Sequence, residues 1–282
     1  MESTDNVIIR LHKQVLYPTV RVRTEKAGGS GTVAFSGKNC KDKVETYVIT
    51  NHHVVADAIE VRKIWDARLG RDVKRDVRST VSVEFFKYNN FSHCIGSFGV
   101  EADIMAYDAE QDVALLRLRD EENVAPYIAK LFPLLRLDEV HLFDDIYACG
   151  AALGHSPIPT KGEITFMDDE IDNYKYWMSS ALTIFGNSGG AVYRLNEVGN
   201  YEWIGIPSRI SMSMAGFSAS PITHMGYFIP AWRVYRFLDV NHYQFVYDDT
   251  YTIEQCEGKR NQMKEKEVNK LEMQFGVIEE DK

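Results

Sequence analysis

The chain has 282 residues, 45% hydrophobic and 26% charged, which suits a folded globular protein and excludes wholesale disorder or a fibrous rod. Its 32 Lys+Arg stand against 41 Asp+Glu, and the net charge of −9 gives no long-range attraction to nucleic acid or anionic lipid. The longest run without a charged side chain, residues 210–232, is broken by serines, two glycines, Pro221 and Pro230, so it does not read as a membrane-spanning helix. The amino terminus, Met1-Glu2-Ser3-Thr4-Asp5, is acidic where a secretory leader is basic, and a cytoplasmic location is expected. Cys40, Cys94, Cys149 and Cys256 are scattered with no C-x-x-C pair, so free thiols are expected rather than a disulfide framework or a zinc site.

In chain order, residues 20–23, 31–35, 45–50 and 80–86 are short runs rich in β-branched and aromatic side chains, bounded by Gly, Asn and Asp. Residues 61–80 interrupt them with a local basic insert: Arg62, Lys63, Arg68, Arg71, Lys74, Arg75 and Arg78 against Asp66, Asp72 and Asp76. A solvated loop is expected there in preference to a polyanion-binding patch. Strand texture resumes at 145–150, 163–166, 190–194, 202–206 and 226–230, after a boundary segment at 120–137. Many short strands in two groups suggest two barrels or a sandwich. From 252 to 275 charge density rises while Ile253, Met263, Val268, Leu271 and Phe275 recur at loosely helical spacing, which predicts a C-terminal helix.

The run Thr183-Ile184-Phe185-Gly186-Asn187-Ser188-Gly189-Gly190 carries the most chemical information. A serine hydroxyl attacks a carbonyl only with a base to take its proton and backbone N–H donors to hold the oxyanion. Flanking glycines permit the tight loop in which the Gly186 and Ser188 amides converge. A candidate base follows the apolar run Tyr47-Val48-Ile49-Thr50-Asn51, at His52-His53. A candidate acid, Asp112, immediately precedes the apolar run Val113-Ala114-Leu115-Leu116, where a carboxylate would be partly buried and in need of a hydrogen-bond donor such as an imidazole N–H. The three lie far apart in the chain, in the order His, Asp, Ser.

These three runs together resemble the trypsin-like (chymotrypsin-fold) serine proteases, and more closely the HtrA/Deg type, in which T-N-x-H-V, D-x-A-(L/V)-(L/I) and G-N-S-G-G mark the catalytic positions. Gly28-Gly29-Ser30-Gly31-Thr32-Val33, Trp203-Ile204-Gly205-Ile206 and Gly226-Tyr227-Phe228-Ile229-Pro230 extend the likeness over about residues 15–238. The resemblance implies an all-β fold of two six-stranded antiparallel barrels. The first lobe would cover 15–120 and the second 121–238, with an N-terminal segment at 1–14 and a charged, helical C-terminal extension at 239–282. It implies a serine endopeptidase with His53, Asp112 and Ser188 as catalytic residues and an oxyanion hole in Gly186, Asn187 and Ser188. Substrate would be bound by Leu182, Thr183, Arg209, Ile210, Ser211 and Gly226. No metal or organic cofactor is implied. The expected partners are a protein or peptide substrate and a regulatory partner or second copy, not a membrane or nucleic acid.

Departures from the family shape these expectations. Asn187 stands where zymogens of the trypsin type carry an aspartate, so activation through a new α-amino group is not expected. With 44 residues after position 238 in this sequence a PDZ domain is not expected, and the family's trimerisation segment is not recognisable. No acid occurs in Ala181-Leu182-Thr183, and Pro207 follows Ile206 where glutamate-specific relatives place histidine, so a small or apolar P1 pocket is expected. His224 reads as a surface residue. An α/β-hydrolase would need a helix after the serine, whereas residues 191–206 read as a strand hairpin turning at Asn196 and Gly199-Asn200. A catalytically silent scaffold of the same fold is the alternative reading, although such a protein would normally have lost one of the three side chains.

Overall fold

β-Branched and aromatic runs become strands over about half of the molecule, whose computed structural model describes residues 4–67, 70–215 and 218–275. A short helix, α1 (Thr4–Leu11), leads through the turn His12–Leu16 into β1 (Thr19–Arg23), β2 (Gly28–Lys38), β3 (Val44–Thr50), the one-turn helix α2 (His52–Val55), β4 (Ile59–Asp66), β5 (Arg71–Arg78), β6 (Val81–Asn89), β7 (His93–Asp108) and β8 (Val113–Leu118). The second half holds β9 (Asp145–Gly150), β10 (Ile158–Ile171), β11 (Tyr174–Ser179), β12 (Ala191–Leu195), β13 (Tyr201–Ala215), β14 (Ser218–Pro230), α3 (Ala231–Val240) and α4 (Ile253–Phe275). Strands β1-β2-β3-β8-β7-β6 close one antiparallel barrel, and β10-β11-β14-β13-β12-β9 close another. Closure leaves neither sheet with a free edge.

Three apolar clusters explain why the central strands read as nearly continuous hydrophobic runs. Val48 and Leu116 point into the first barrel with Val20, Val22, Val33 and Val83. Their neighbours Tyr47, Ile49 and Leu115 point outward, into a cluster shared with Tyr193, Trp203 and Phe237 of the second half. Both faces of β3 and β8 are therefore buried, and alternation disappears from their sequence. Ile146, Ile164, Trp177, Ile204 and Phe228 fill the second barrel.

The C-terminal elements cover the seam between the lobes. Tyr243, Phe245, Ile253 and Cys256 join the shared cluster, so α4 docks through its first two turns. There Arg260 donates to the His242 carbonyl at 2.5 Å and lies 4.1 Å from the centre of the Tyr243 ring. No helix among the described residues is long and apolar enough to cross a membrane.

One expectation changes. The basic insert is not a loop: β4 and β5 form a regular antiparallel hairpin from Ile59↔Arg78 to Asp66↔Arg71, pairing among the described residues only with each other. Its strands lack apolar alternation because almost no face of the arm is buried. In the N-terminal segment Thr4–Leu11 forms α1, and the turn that follows it anchors through the buried Val15 and Leu16. The predicted C-terminal helix is present as α4, although Leu271 and Phe275 of its expected apolar stripe have side chains outside the described residues. All four cysteines are free, Cys149 and Cys256 buried and Cys40 and Cys94 exposed.

Candidate active site

The strand-to-helix turn after β3 delivers the histidine. Asn51 is extended (φ −78°, ψ 150°), and Val54 and Val55 on the inner side of α2 are buried, which leaves the His53 side chain 48% exposed at the cleft. Asp112 arrives from the opposite direction, on a left-handed residue (φ 55°) just before β8; aspartate tolerates that region better than most side chains. Asn51 Nδ2 donates to the Asp112 carbonyl at 2.7 Å and ties the two turns together.

The carboxylate is fully engaged. Its Oδ1 accepts the His53 backbone N–H at 3.0 Å, and His53 Nδ1 lies 3.0 and 2.9 Å from Oδ1 and Oδ2. Ser208 Oγ donates to Oδ2 at 2.6 Å. Burial works against the charge on Asp112, but the donors from His53 and Ser208 outweigh it and hold the carboxyl below the ordinary aspartate value. An ionised carboxylate at Nδ1 assigns the imidazole proton to that nitrogen and leaves Nε2 as the basic atom. The neighbouring His52 faces elsewhere: its ring stacks on Tyr107 at 5.2 Å, and burial lowers its pKa below the usual histidine value.

The serine loop is held by its carbonyls. In a trans peptide the C=O and N–H point in opposite directions, so anchoring one aims the other. Leu153 N–H binds the Phe185 carbonyl at 2.8 Å, which turns the Gly186 N–H the other way, and Gly190 N–H binds the Asn187 carbonyl at 3.0 Å, which does the same for the Ser188 N–H. Among the described residues neither of those two amides donates to an acceptor. The Asn187 N–H, in contrast, already donates to Ile184 O at 3.1 Å, so this member of the expected oxyanion trio serves the loop itself. Its buried side chain turns back inside the loop, with Oδ1 3.4 Å from the Ile184 nitrogen.

Ser30 of β2 buckles this loop to the first barrel. Its hydroxyl donates to Gly186 O at 2.6 Å and accepts the Ala151 N–H at 2.7 Å, while its own N–H reaches Ser188 O at 2.8 Å. The contact is so close that a Cβ on Gly189, at φ +85°, would sit 2.1 Å from Ser30 O and 2.3 Å from Thr50 Oγ1. Only glycine fits there. A Cβ on Gly29 would touch both Val54 of the histidine helix and Ser188 O, which places the serine backbone one glycine's width from α2. Alongside, Gly28, Gly29, Leu153 and Gly186 border an open cleft of about 600 Å³ between the lobes.

The expected substrate residues fall into two groups. Gly226 packs directly on Thr183, whose hydroxyl a Cβ would approach to 2.4 Å, and Ile210 pairs with Gly226, so Thr183, Ile210 and Gly226 lie together, with the exposed Leu182 next to Thr183 in the chain. Ser211 follows at a register shift of β13. Arg209 turns away, with its guanidinium 5.0 Å from the Tyr176 ring centre and 2.7 Å from Asp172 Oδ2. His224 is exposed.

Sequence reasoning overlooked three supporting residues: Ser208, Ser30 and Arg233. Ser30 lay inside a quoted glycine-rich run, but its role depends on partners over a hundred residues away. Arg233 is wholly buried on α3; its Nε and a terminal nitrogen donate to the Gln111 side chain and carbonyl at 2.7 and 2.9 Å, against the turn that carries Asp112.

Two closed antiparallel barrels with a His-Asp pair and a glycine-bound serine between them define a chymotrypsin-like fold. Residues 29–206 match the family model described as trypsin-like peptidase domain, and the chain belongs to that family. Among solved structures it is similar to a variant of the HtrA-type protease AlgW with tripeptide, at a TM-score of 0.56 and 21% identity over 84% of this chain. The chain spans 63% of that protein's length. No curated protein matches the chain.

Proposed function

We propose that the protein is a serine endopeptidase working through His53, Asp112 and Ser188. The observation that carries this reading is the His53–Asp112 pair, with Nδ1 2.9 Å from the carboxylate, set beside a serine loop whose Gly186 and Ser188 amides are unspent. In this reaction His53 Nε2 takes the Ser188 hydroxyl proton as Oγ bonds to the scissile carbonyl carbon. The two amides hold the oxyanion, a contribution on the order of 3 kcal/mol per donor. The imidazolium, stabilised by Asp112, then returns the proton to the departing amine as the C–N bond breaks. Water repeats the sequence on the acyl-enzyme and releases the acid. The uncharged surroundings of Thr183 and Gly226 favour a small or apolar residue on the acyl side.

Labelling with a fluorophosphonate probe tests the reading. Ser188 should react, and the Ser188→Ala and His53→Ala variants should not; turnover of a peptide library should fall about a million-fold in either variant. A loss under about tenfold would reject the assignment. A catalytically silent scaffold would leave Ser188 unlabelled.

A further inference from the structure

The basic hairpin is left without a role by the catalytic reading. With eight residues per strand, β4 and β5 extend about 25 Å from their base. Their register sets Arg62 opposite Arg75 and Lys63 opposite Lys74, and like charges directly opposite weaken a hairpin. On one face this repulsion is relieved within the arm, where Arg62 binds Glu60 at 2.6 Å and Arg75 binds Asp66. On the other face neither Lys63 nor Lys74 has a carboxylate partner among the described residues. Val61 and Trp65, which share that face by the two-residue period of a strand, are 60% and 64% exposed.

We propose that this face is a docking surface for an acidic segment of a protein substrate that also bears an aromatic or aliphatic side chain, bound apart from the residues being cut. The inference rests on the peptidase reading. The two ammonium groups meet the carboxylates, and Trp65 with Val61 receives the apolar side chain. The base of the arm brings such a segment to the cleft. Tyr107 donates to Asp76 at 2.5 Å, the Arg78 guanidinium lies 5.1 Å from the Tyr107 ring centre, and His52, next to His53 in α2, stacks on the same ring. Discrete carboxylates suit the face better than a polyphosphate does. Asp72 lies opposite Trp65 and Asp76 opposite Val61, so the charge alternates along it.

The test uses the full chain carrying Ser188→Ala, so that binding is read without turnover. Three fluorescein-labelled probes are titrated by anisotropy: a 15-residue peptide of Glu and Asp interspersed with Phe and Leu, the same peptide with Lys for each acid, and a single-stranded oligonucleotide of equal length. The acidic peptide should bind best and weaken with salt. Its Kd should rise about tenfold or more in Lys63→Glu/Lys74→Glu and in Trp65→Ala, while Lys63→Arg/Lys74→Arg retains binding. Equal affinity for the basic peptide, preference for the oligonucleotide, or indifference to the charge reversal in a variant that melts like its parent would overturn the proposal. So would a dimer, seen by sedimentation, that the charge reversal dissolves. Docking and catalysis fail separately, because fluorophosphonate labelling of Ser188 involves none of the hairpin residues.

Discussion

The guanidinium of Arg233 grips Gln111, the residue immediately before Asp112. It is 0% exposed and, among the described residues, has no carboxylate ion-paired to it; its donors go instead to the Gln111 side chain, the Gln111 carbonyl and the Lys175 carbonyl, and its flat faces meet Tyr174 and Tyr176. A helix of the second half thus clamps a first-barrel turn that holds a carboxylate in left-handed backbone. A single hydrogen-bonded cation couples the seam between the lobes to the position of the acid.

Arg233→Met keeps much of the volume but leaves the Gln111 and Lys175 groups without donors. Unsatisfied buried acceptors cost about 1–3 kcal/mol each, so the variant should lose on the order of 3 kcal/mol in urea unfolding. Peptidase turnover should fall as well, and Arg233→Lys should recover stability only in part, because an ammonium cannot reproduce the planar fork.

Asp112→Asn removes the charge while preserving shape. An amide next to Nδ1 no longer favours the tautomer with a basic Nε2, and turnover should drop by about 10⁴ with folding intact, as checked by peptide hydrolysis and the rate of fluorophosphonate labelling. The native carboxyl lies below the ordinary aspartate value despite its burial, so its ionised form is favoured by folding. That stabilisation is complete above the unfolded value near 3.8 and is lost as pH falls through the lower folded value. The activity of the wild type should therefore show no loss assignable to Asp112 between neutrality and pH 5.

Ser30→Ala tests the buckle on the oxyanion loop. The variant frees the Gly186 carbonyl and the Ala151 N–H, and the loop that aims the Gly186 amide gains freedom. Losing one oxyanion donor outright costs about 10²–10³ in kcat, so a misaimed donor should cost about tenfold or more, with KM little changed. A rise in KM at constant kcat would place Ser30 in ground-state binding instead.

Glu254→Gln addresses the attachment of α4. The Glu254 carboxylate accepts the Cys40 N–H at 2.6 Å, and this bond, first among several, pulls its pKa from 4.5 to about 2. A depressed folded value means stabilisation present above pH 4.5 and lost as pH falls toward 2. Melting curves should show the variant less stable than wild type at neutral pH, with the gap closing below about pH 3.

The legibility of the sequence followed the range of the interactions. The glycine-flanked Ser188, the histidine after an apolar strand and the aspartate before another were readable because each local chemistry demands its own neighbours in the chain. The seam between the barrels was half readable: Tyr47-Val48-Ile49 announced burial but could not say that its two faces enter different cores. The hairpin of residues 59–78 was missed because a strand that buries neither face leaves no alternation to detect.

By itself, then, the chain marked the candidates for nucleophile, base and acid and the strand-rich character of its first 235 residues, since these depend on side-chain identity and short-range propensity. Only the tertiary structure decided that Ser208 shares the Asp112 carboxylate, that Ser30 holds the serine loop, and that Arg233 braces the turn carrying Asp112. A serine hydroxyl or a guanidinium carries no local mark of its partner. Its role is set by whichever distant donor or acceptor folding places within three ångströms of it, where desolvation makes the bond obligatory.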